Sequence, residues 1–510
     1  MIKTPGRGQR VADALAADRL GGGAVLSAVM AAAAPLTMVA GLVVTAFAVT
    51  GNTGLPLAFV VVGAVLAVFS AGYTAMSRHL HHAGAFYSQA AAGLGGAVGV
   101  AGAWVALVAY STLQVALYGI IGSAAAPLLA DGGLAPPWWL VALAAWAVVA
   151  LLGVLRIEVS GRILTVLLTG EIAVTAVYAL SWLAHPAHGI AWGMLSPAHL
   201  GDSGIGAVLA IATLSFVGFE TSVTLSEEVR DHGRTIPRAT LAAIVAFVLL
   251  YGGAALAMGT TVGVDQLPQA AARQGPDLVF ALAAQHLGSG MATLGRALFV
   301  TSVLAAMISF HTTIARYVYA LGRERVLPHR FSRTARTGAP WAASLAQTTI
   351  GLTVIVTFAV GGWDPVVNLF YIGGGAGSLG IIVLLTTAAA AVLAYFHRDA
   401  RGENAWHTTV APGLALVALL VGLYLVLANF AGLLGVAPDS PLRWGIPLVY
   451  AAVAVAGLGY GLFLRRTRPQ VYAGIGHGTA ARGDAVPAYP GPYRAAAFAP
   501  NGPLPDEERV

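Results

Sequence analysis

Met30-Ala31-Ala32-Ala33-Ala34-Pro35 and Ser215-Phe216-Val217-Gly218-Phe219-Glu220 interrupt two long apolar runs. A proline inside a helix removes an N–H donor and clashes with the preceding turn. In the second stretch a glycine and a carboxylate sit at comparable depth, where helix and lipid both disfavour them. Working outward, each break lies within a run of about 20 apolar residues or more, the length that crosses a bilayer as a helix. Such runs fall near 23–48, 55–76, 93–122, 137–154, 163–184, 205–226, 239–262, 294–318, 342–361, 366–395, 408–432 and 444–464. This predicts an all-α integral membrane protein of twelve transmembrane helices. The breaks fall in spans 1 and 6, the first members of two five-span halves, about 23–184 and 205–395, with spans 11 and 12 (about 408–464) added. Matched interruptions of this kind point to a central binding site between the halves of a transporter.

Composition agrees. Of 510 residues, 9 % are charged and 58 % hydrophobic, against about 25 % charged in soluble chains. A soluble enzyme, a nucleic-acid binder and a disordered scaffold are excluded on that ground. The net charge of +6 reads as topology, because basic residues mark the loops kept in the cytoplasm. Most of the 27 Lys and Arg fall in the N-tail, the loops after the even-numbered spans and the C-tail, with only Arg273, Arg296 and Arg443 in loops on the other face. Both termini are therefore expected in the cytoplasm of a multi-pass cell-membrane protein. Residues 1–22 form an N-tail without the apolar core of a signal peptide. Residues 465–510, rich in Pro, Gly and Ala, are expected to be a disordered tail. There is no cysteine, so disulfide and thiolate chemistry are absent.

Charges at bilayer depth are costly, so those that persist there are site candidates. Two carboxylates lie well inside the predicted spans, Glu171 and Glu220, and both are candidates for proton coupling. His311, in span 8, reads as a hydrogen-bonded packing residue. Gly375-Ala-Gly377-Ser-Leu-Gly380 matches a dinucleotide-binding pattern but lies within a membrane run, so close helix approach is the better reading. Arg78-His79-Leu80-His81-His82 has no nearby Cys or carboxylate in sequence to complete a metal site. No metal or other cofactor is expected, nor an enzyme, since no grouping of nucleophile, base and orienting residue is present.

Phe216-Val-Gly-Phe-Glu220, followed by Glu227-Glu228-Val-Arg230-Asp231 and Arg234-Thr-Ile-Pro237-Arg238-Ala-Thr240, resembles the sixth span and following loop of the amino acid-polyamine-organocation superfamily of permeases. Arg316-Tyr-Val-Tyr-Ala-Leu-Gly-Arg323-Glu-Arg-Val-Leu-Pro328 is similar to that family's end of span 8, and Gly84-Ala-Phe-Tyr87 and Gly338-Ala339-Pro340-Trp341 add weaker matches. The resemblance runs from the first span to about the ninth. It implies a leucine-transporter-like fold of two inverted five-helix repeats plus two helices, with substrate held where spans 1 and 6 unwind. Backbone N–H groups around Ala32, Ala33 and Ala34 would then bind a substrate carboxylate at a half-helix N-terminus, with Pro35 in the first turn of that half-helix. Carbonyls near Leu214, Ser215 and Val217 would accept its ammonium, Phe310 would stand where relatives have an aromatic lid, and Glu220 falls on the family's sixth-span carboxylate. The family usually has glycines where this chain has four alanines. Glu171 stands where some proton-coupled relatives carry a lysine in place of a sodium ion.

Together these features predict a secondary transporter of a small, neutral amino acid, coupled to protons and working by alternating access in a lipid bilayer. Rival readings are an amine or polyamine permease or exchanger of the same fold, and a membrane nutrient sensor that binds without transporting. A neutral substrate is expected because Glu220 is the only acid placed at the pocket, amid Ala31 to Ala34, Leu214, Phe216 and Phe310, and an unpaired buried cation is disfavoured.

Overall fold

The computed structural model describes residues 21–80, 85–155, 161–202, 204–225, 229, 231–335 and 340–476. The tail before residue 21, His81, His82, Gly84, Arg156, Glu227, Glu228, Arg230, Gly338, Ala339 and residues 477–510 lie outside them. Among the described residues there is no strand, and ten helices are long and apolar enough to cross a membrane. These are α1 (Gly22–Thr50), α2 (Leu55–Ser77), α3 (Gly96–Asp131), α5 (Thr165–Ala184), α7 (Gly233–Val262), α8 (Ser289–Arg323), α9 (Trp341–Gly361), α10 (Val366–Arg398), α11 (Trp406–Ala428) and α12 (Leu442–Thr467). The two remaining runs form shorter helices, α4 (Trp138–Leu155) and α6 (Ile205–Ser215).

Burial sorts these helices into a core and a rim. α1 is the most enclosed, with Val25, Val29, Ala33 and Val43 fully buried. Around it pack α5, α7 and α8, and the short helix Thr221–Thr224 that follows the α6 break. α11 and α12 stand at the rim and turn Val417, Tyr424, Leu448 and Val455 outward. In water such a surface would drive association, whereas lipid tails are as apolar as the side chains themselves.

Small residues let the long helices touch. α12 lies on α3 through Gly457 and Gly461, where an added Cβ would come within 2.7 Å of the Ala101 Cα and 2.5 Å of the Ala97 Cα. The 375–380 glycines behave as expected of close approach, with Gly377 facing Leu113 and Gly380 facing Ala109 of α3. Order extends past the expected tail boundary at residue 465. α12 continues to Thr467, Pro469–Ala473 forms a further short helix, and Ile475 is buried. The reason is a carboxylate at the end of α8: Glu324 accepts the Tyr87 hydroxyl and, at 3.0 Å, the Gly476 N–H.

Gly461→Leu should force α12 off α3. We expect a lower thermal midpoint for the purified protein, by an amount equivalent to about 1–3 kcal/mol. An unchanged midpoint in a scan of detergent-solubilised protein would show that this contact contributes little.

Candidate functional site

The break in α1 is one residue wide. Its leading half, Gly22–Ala33, stays α-helical up to Ala34, which adopts a left-handed conformation with φ 45° and ψ 73°. That region is uncommon for a residue with a Cβ. Pro35 then occupies the first position of the trailing half, where its missing N–H costs little. The Ala34 N–H is spent on the Ala31 carbonyl at 3.2 Å, and Ala32 and Ala33 lie within the leading helix. The backbone donors at the start of the trailing half are therefore those of Leu36 and Thr37, one turn beyond the expected Ala32–Ala34.

Both of these donors face partners from within the chain. Thr37 donates its N–H to the Ser302 Oγ at 3.3 Å, and the two hydroxyls are 3.0 Å apart. The Glu171 carboxylate, from α5, faces the Leu36 N–H and the Ser302 hydroxyl. It is 3 % exposed, and its Oε2 has no partner among the described residues. The buried Tyr251 hydroxyl of α7, likewise without a partner there, lies within electrostatic reach of Glu171. A carboxylate oxygen held away from water without a partner is a natural seat for a proton or a cation.

The break in α6 is wider. The helix ends at Ser215, residues 216–220 run as turns, and helix resumes over Thr221–Thr224. Gly218 sits at φ 117°, a conformation open to glycine. Glu220 pins this loop: its Oε2 accepts the Gly218 N–H at 2.9 Å and its Oε1 the Tyr110 hydroxyl at 2.6 Å. Both oxygens are engaged, so Glu220 serves as an internal cap rather than a free ligand. The Leu214 carbonyl already accepts the Val217 N–H at 3.0 Å, and the Ser215 hydroxyl donates to the Ile211 carbonyl at 2.9 Å.

The two breaks meet. A Cβ on Gly218 would lie 3.0 Å from the Ala33 nitrogen and 3.2 Å from the Ala32 carbonyl carbon. Ala32 and Ala33 thus meet the α6 loop at Gly218. Phe310 joins them through Tyr110, the two ring centroids being 6.2 Å apart. Glu171 stands apart, on the α5 and α8 side of α1. All these residues are buried, so the site is closed. His311 bonds to Ser344 at 2.7 Å on the α9 side and abuts Gly153 of α4, in keeping with a packing role. Tyr110, Tyr251 and Ser302 were not anticipated; the one signal available was a hydroxyl in mid-span, which many membrane helices carry.

Over the start of α1's trailing half lies the helix Asp277–Leu287, which packs on Met38–Val43, α5 and α8. The Arg296–Asp277 ion pair, at 2.7 Å, ties its first turn to α8. Its last turn is held by His286, which stacks on His185 at 4.6 Å and reaches the Thr261 hydroxyl at 3.2 Å. Burial and then the neighbouring His185 push the His286 ring below the usual histidine range.

The family model described as amino acid permease matches residues 24–458. Among curated relatives, the histidine permease of Lactococcus lactis subsp. cremoris is 30 % identical over 34 % of this chain and 36 % of its own. The low-affinity putrescine importer of Escherichia coli is 24 % identical over 55 % and 61 %, respectively. The lysine-specific permease of Lactococcus lactis subsp. cremoris is 25 % identical over 31 % of each. The match to these curated relatives thus spans between about a third and three fifths of their lengths.

Two outcomes follow for the site. Gly218→Ala should strain the loop and press on Ala32–Ala33, lowering the thermal midpoint by the equivalent of about 1–3 kcal/mol; a midpoint equal to wild type would mean the breaks are not in contact. For the covering helix, the unfolded His286 ring takes up a proton more readily than the folded one. The stability it contributes is therefore present above the unfolded value of about 6.5 and is lost as pH falls through it. Hydrogen exchange over 277–287, corrected for intrinsic rates, should quicken below that pH. Flat protection across the range would leave the histidine pair without this role.

Proposed function

The chain belongs to the amino acid permease family, and on that premise we propose that it is a secondary transporter of a small amine-bearing solute, linked to protons through Glu171. The observation that carries this reading is the contact between the two helix breaks, Gly218 against Ala32 and Ala33. Each break separates two half-helices that can pivot independently, and a site at their meeting point can open to either face in turn. Twelve spans in two inverted five-helix repeats plus two helices accommodate the ten long and two short helices. The distribution of basic residues supports both termini in the cytoplasm.

Glu171 is the reading's proton-carrying group because it is buried, has a free oxygen and touches the first residues of the trailing half-helix. Movement of that half-helix would change its surroundings, which is what coupling requires. The histidine, putrescine and lysine named for the relatives share an amino group, which supports an amine-bearing solute. The small, buried side chains of Ala31 to Ala34 next to the α6 break support modest size.

Purified protein reconstituted in proteoliposomes should accumulate at least one of labelled putrescine, lysine, histidine or alanine several-fold above protein-free vesicles. Accumulation should change when a pH gradient is imposed. Saturable binding without accumulation would make the chain a sensor, and accumulation indifferent to pH would remove the proton linkage.

A further inference from the structure

We propose that Glu171 fills, from within the chain, the seat that a substrate carboxylate would take, and that the solute is therefore an organic amine lacking a carboxylate. This deepens the transport reading and rests on it.

A carboxylate held at a helix break needs backbone donors. At this break only the Leu36 N–H is not spent on another acceptor, and the Glu171 carboxylate faces it. Pro35 has no N–H, and Ala34 gives its own to Ala31. Thr37 gives its N–H to Ser302, and the Leu36 N–H faces Glu171. The Ser302 hydroxyl, the remaining polar group there, lies between Thr37 and Glu171. A second carboxylate would find that donor already facing Glu171 and would bring another carboxyl group into a buried site, which is disfavoured. An ammonium meets the opposite circumstances. The Glu171 Oε2 is buried and unpartnered among the described residues. No arginine, lysine or histidine among the described residues forms an ion pair with Glu171. The chain thus presents one buried carboxyl oxygen without a partner. Glu220 does not compete for that role, because Tyr110 and Gly218 occupy its two oxygens.

The test compares pairs of molecules that differ only by the α-carboxylate: cadaverine with lysine, putrescine with ornithine, and isoamylamine with leucine. Each competes for binding to, and is followed for flux through, the full chain in lipid vesicles. The carboxylate-free member of each pair should bind about tenfold tighter or more, whatever its tail. Glu171→Gln, which keeps the shape, should retain the wild-type thermal midpoint and lose amine affinity by about 100-fold. Glu171→Ala should free the Leu36 N–H and shift preference toward the amino acid of each pair. Equal or better binding by the amino acids to the wild type overturns the proposal, as does unchanged amine affinity in a folded Glu171→Gln. If every compound binds but none crosses, the transport reading falls while the amine preference can still be read from affinity. If none binds, both fall.

Discussion

A backbone that leaves the helix inside a bilayer finds no water, so every N–H and C=O it releases must be answered by the protein itself. Both breaks are shaped by that demand. In α1 the break is kept to one residue, and a proline stands where a donor would otherwise be orphaned. In α6 the loop is longer, and the chain supplies Glu220 to take up the Gly218 N–H while Tyr110 holds the carboxylate's other oxygen. The glycine's left-handed turn lets the loop lie flat against Ala32 and Ala33. Remove that internal answering of polar groups and neither half-helix has a defined end.

The two buried carboxylates illustrate how burial alone leaves a role undecided. Glu220 and Glu171 are equally hidden, at 2 % and 3 % exposure. One has both oxygens engaged and acts as a fastener; the other keeps an oxygen in reserve. What distinguishes them is their neighbours on other helices, which lie 110 residues away for the Glu220–Tyr110 pair.

This distance in sequence also marks the limit of what could be read from the residues alone. The all-helical membrane class, most span positions and the location of both breaks were legible, because length, apolar periodicity and proline placement are local properties. The donors offered by α1 were misplaced by one turn, since whether Ala34 or Ala32 leaves the helix depends on how Gly218 packs against it. The alignment of Glu171 with Leu36 and Ser302 joins three helices, and no local pattern encodes it. The ordered stretch up to Gly476 was hidden for the same reason: its composition reads as a tail, and its partners, Glu324 and the start of α3 among them, lie far upstream.

That last arrangement bears on how the molecule is put together. Glu324 fastens Tyr87, from the segment after α2, and Gly476, from beyond α12, to the end of α8. Synthesis proceeds from the N-terminus, so the first of these partners is made before the carboxylate and the second only after every helix has been threaded. At the face where α8 ends, the contact with Gly476 can consequently form only after its partner Tyr87 is already available to Glu324. The surface around Gly96 and Ala97, which Tyr472 and Ile475 cover, therefore lacks these partners until residues 472–476 have been made.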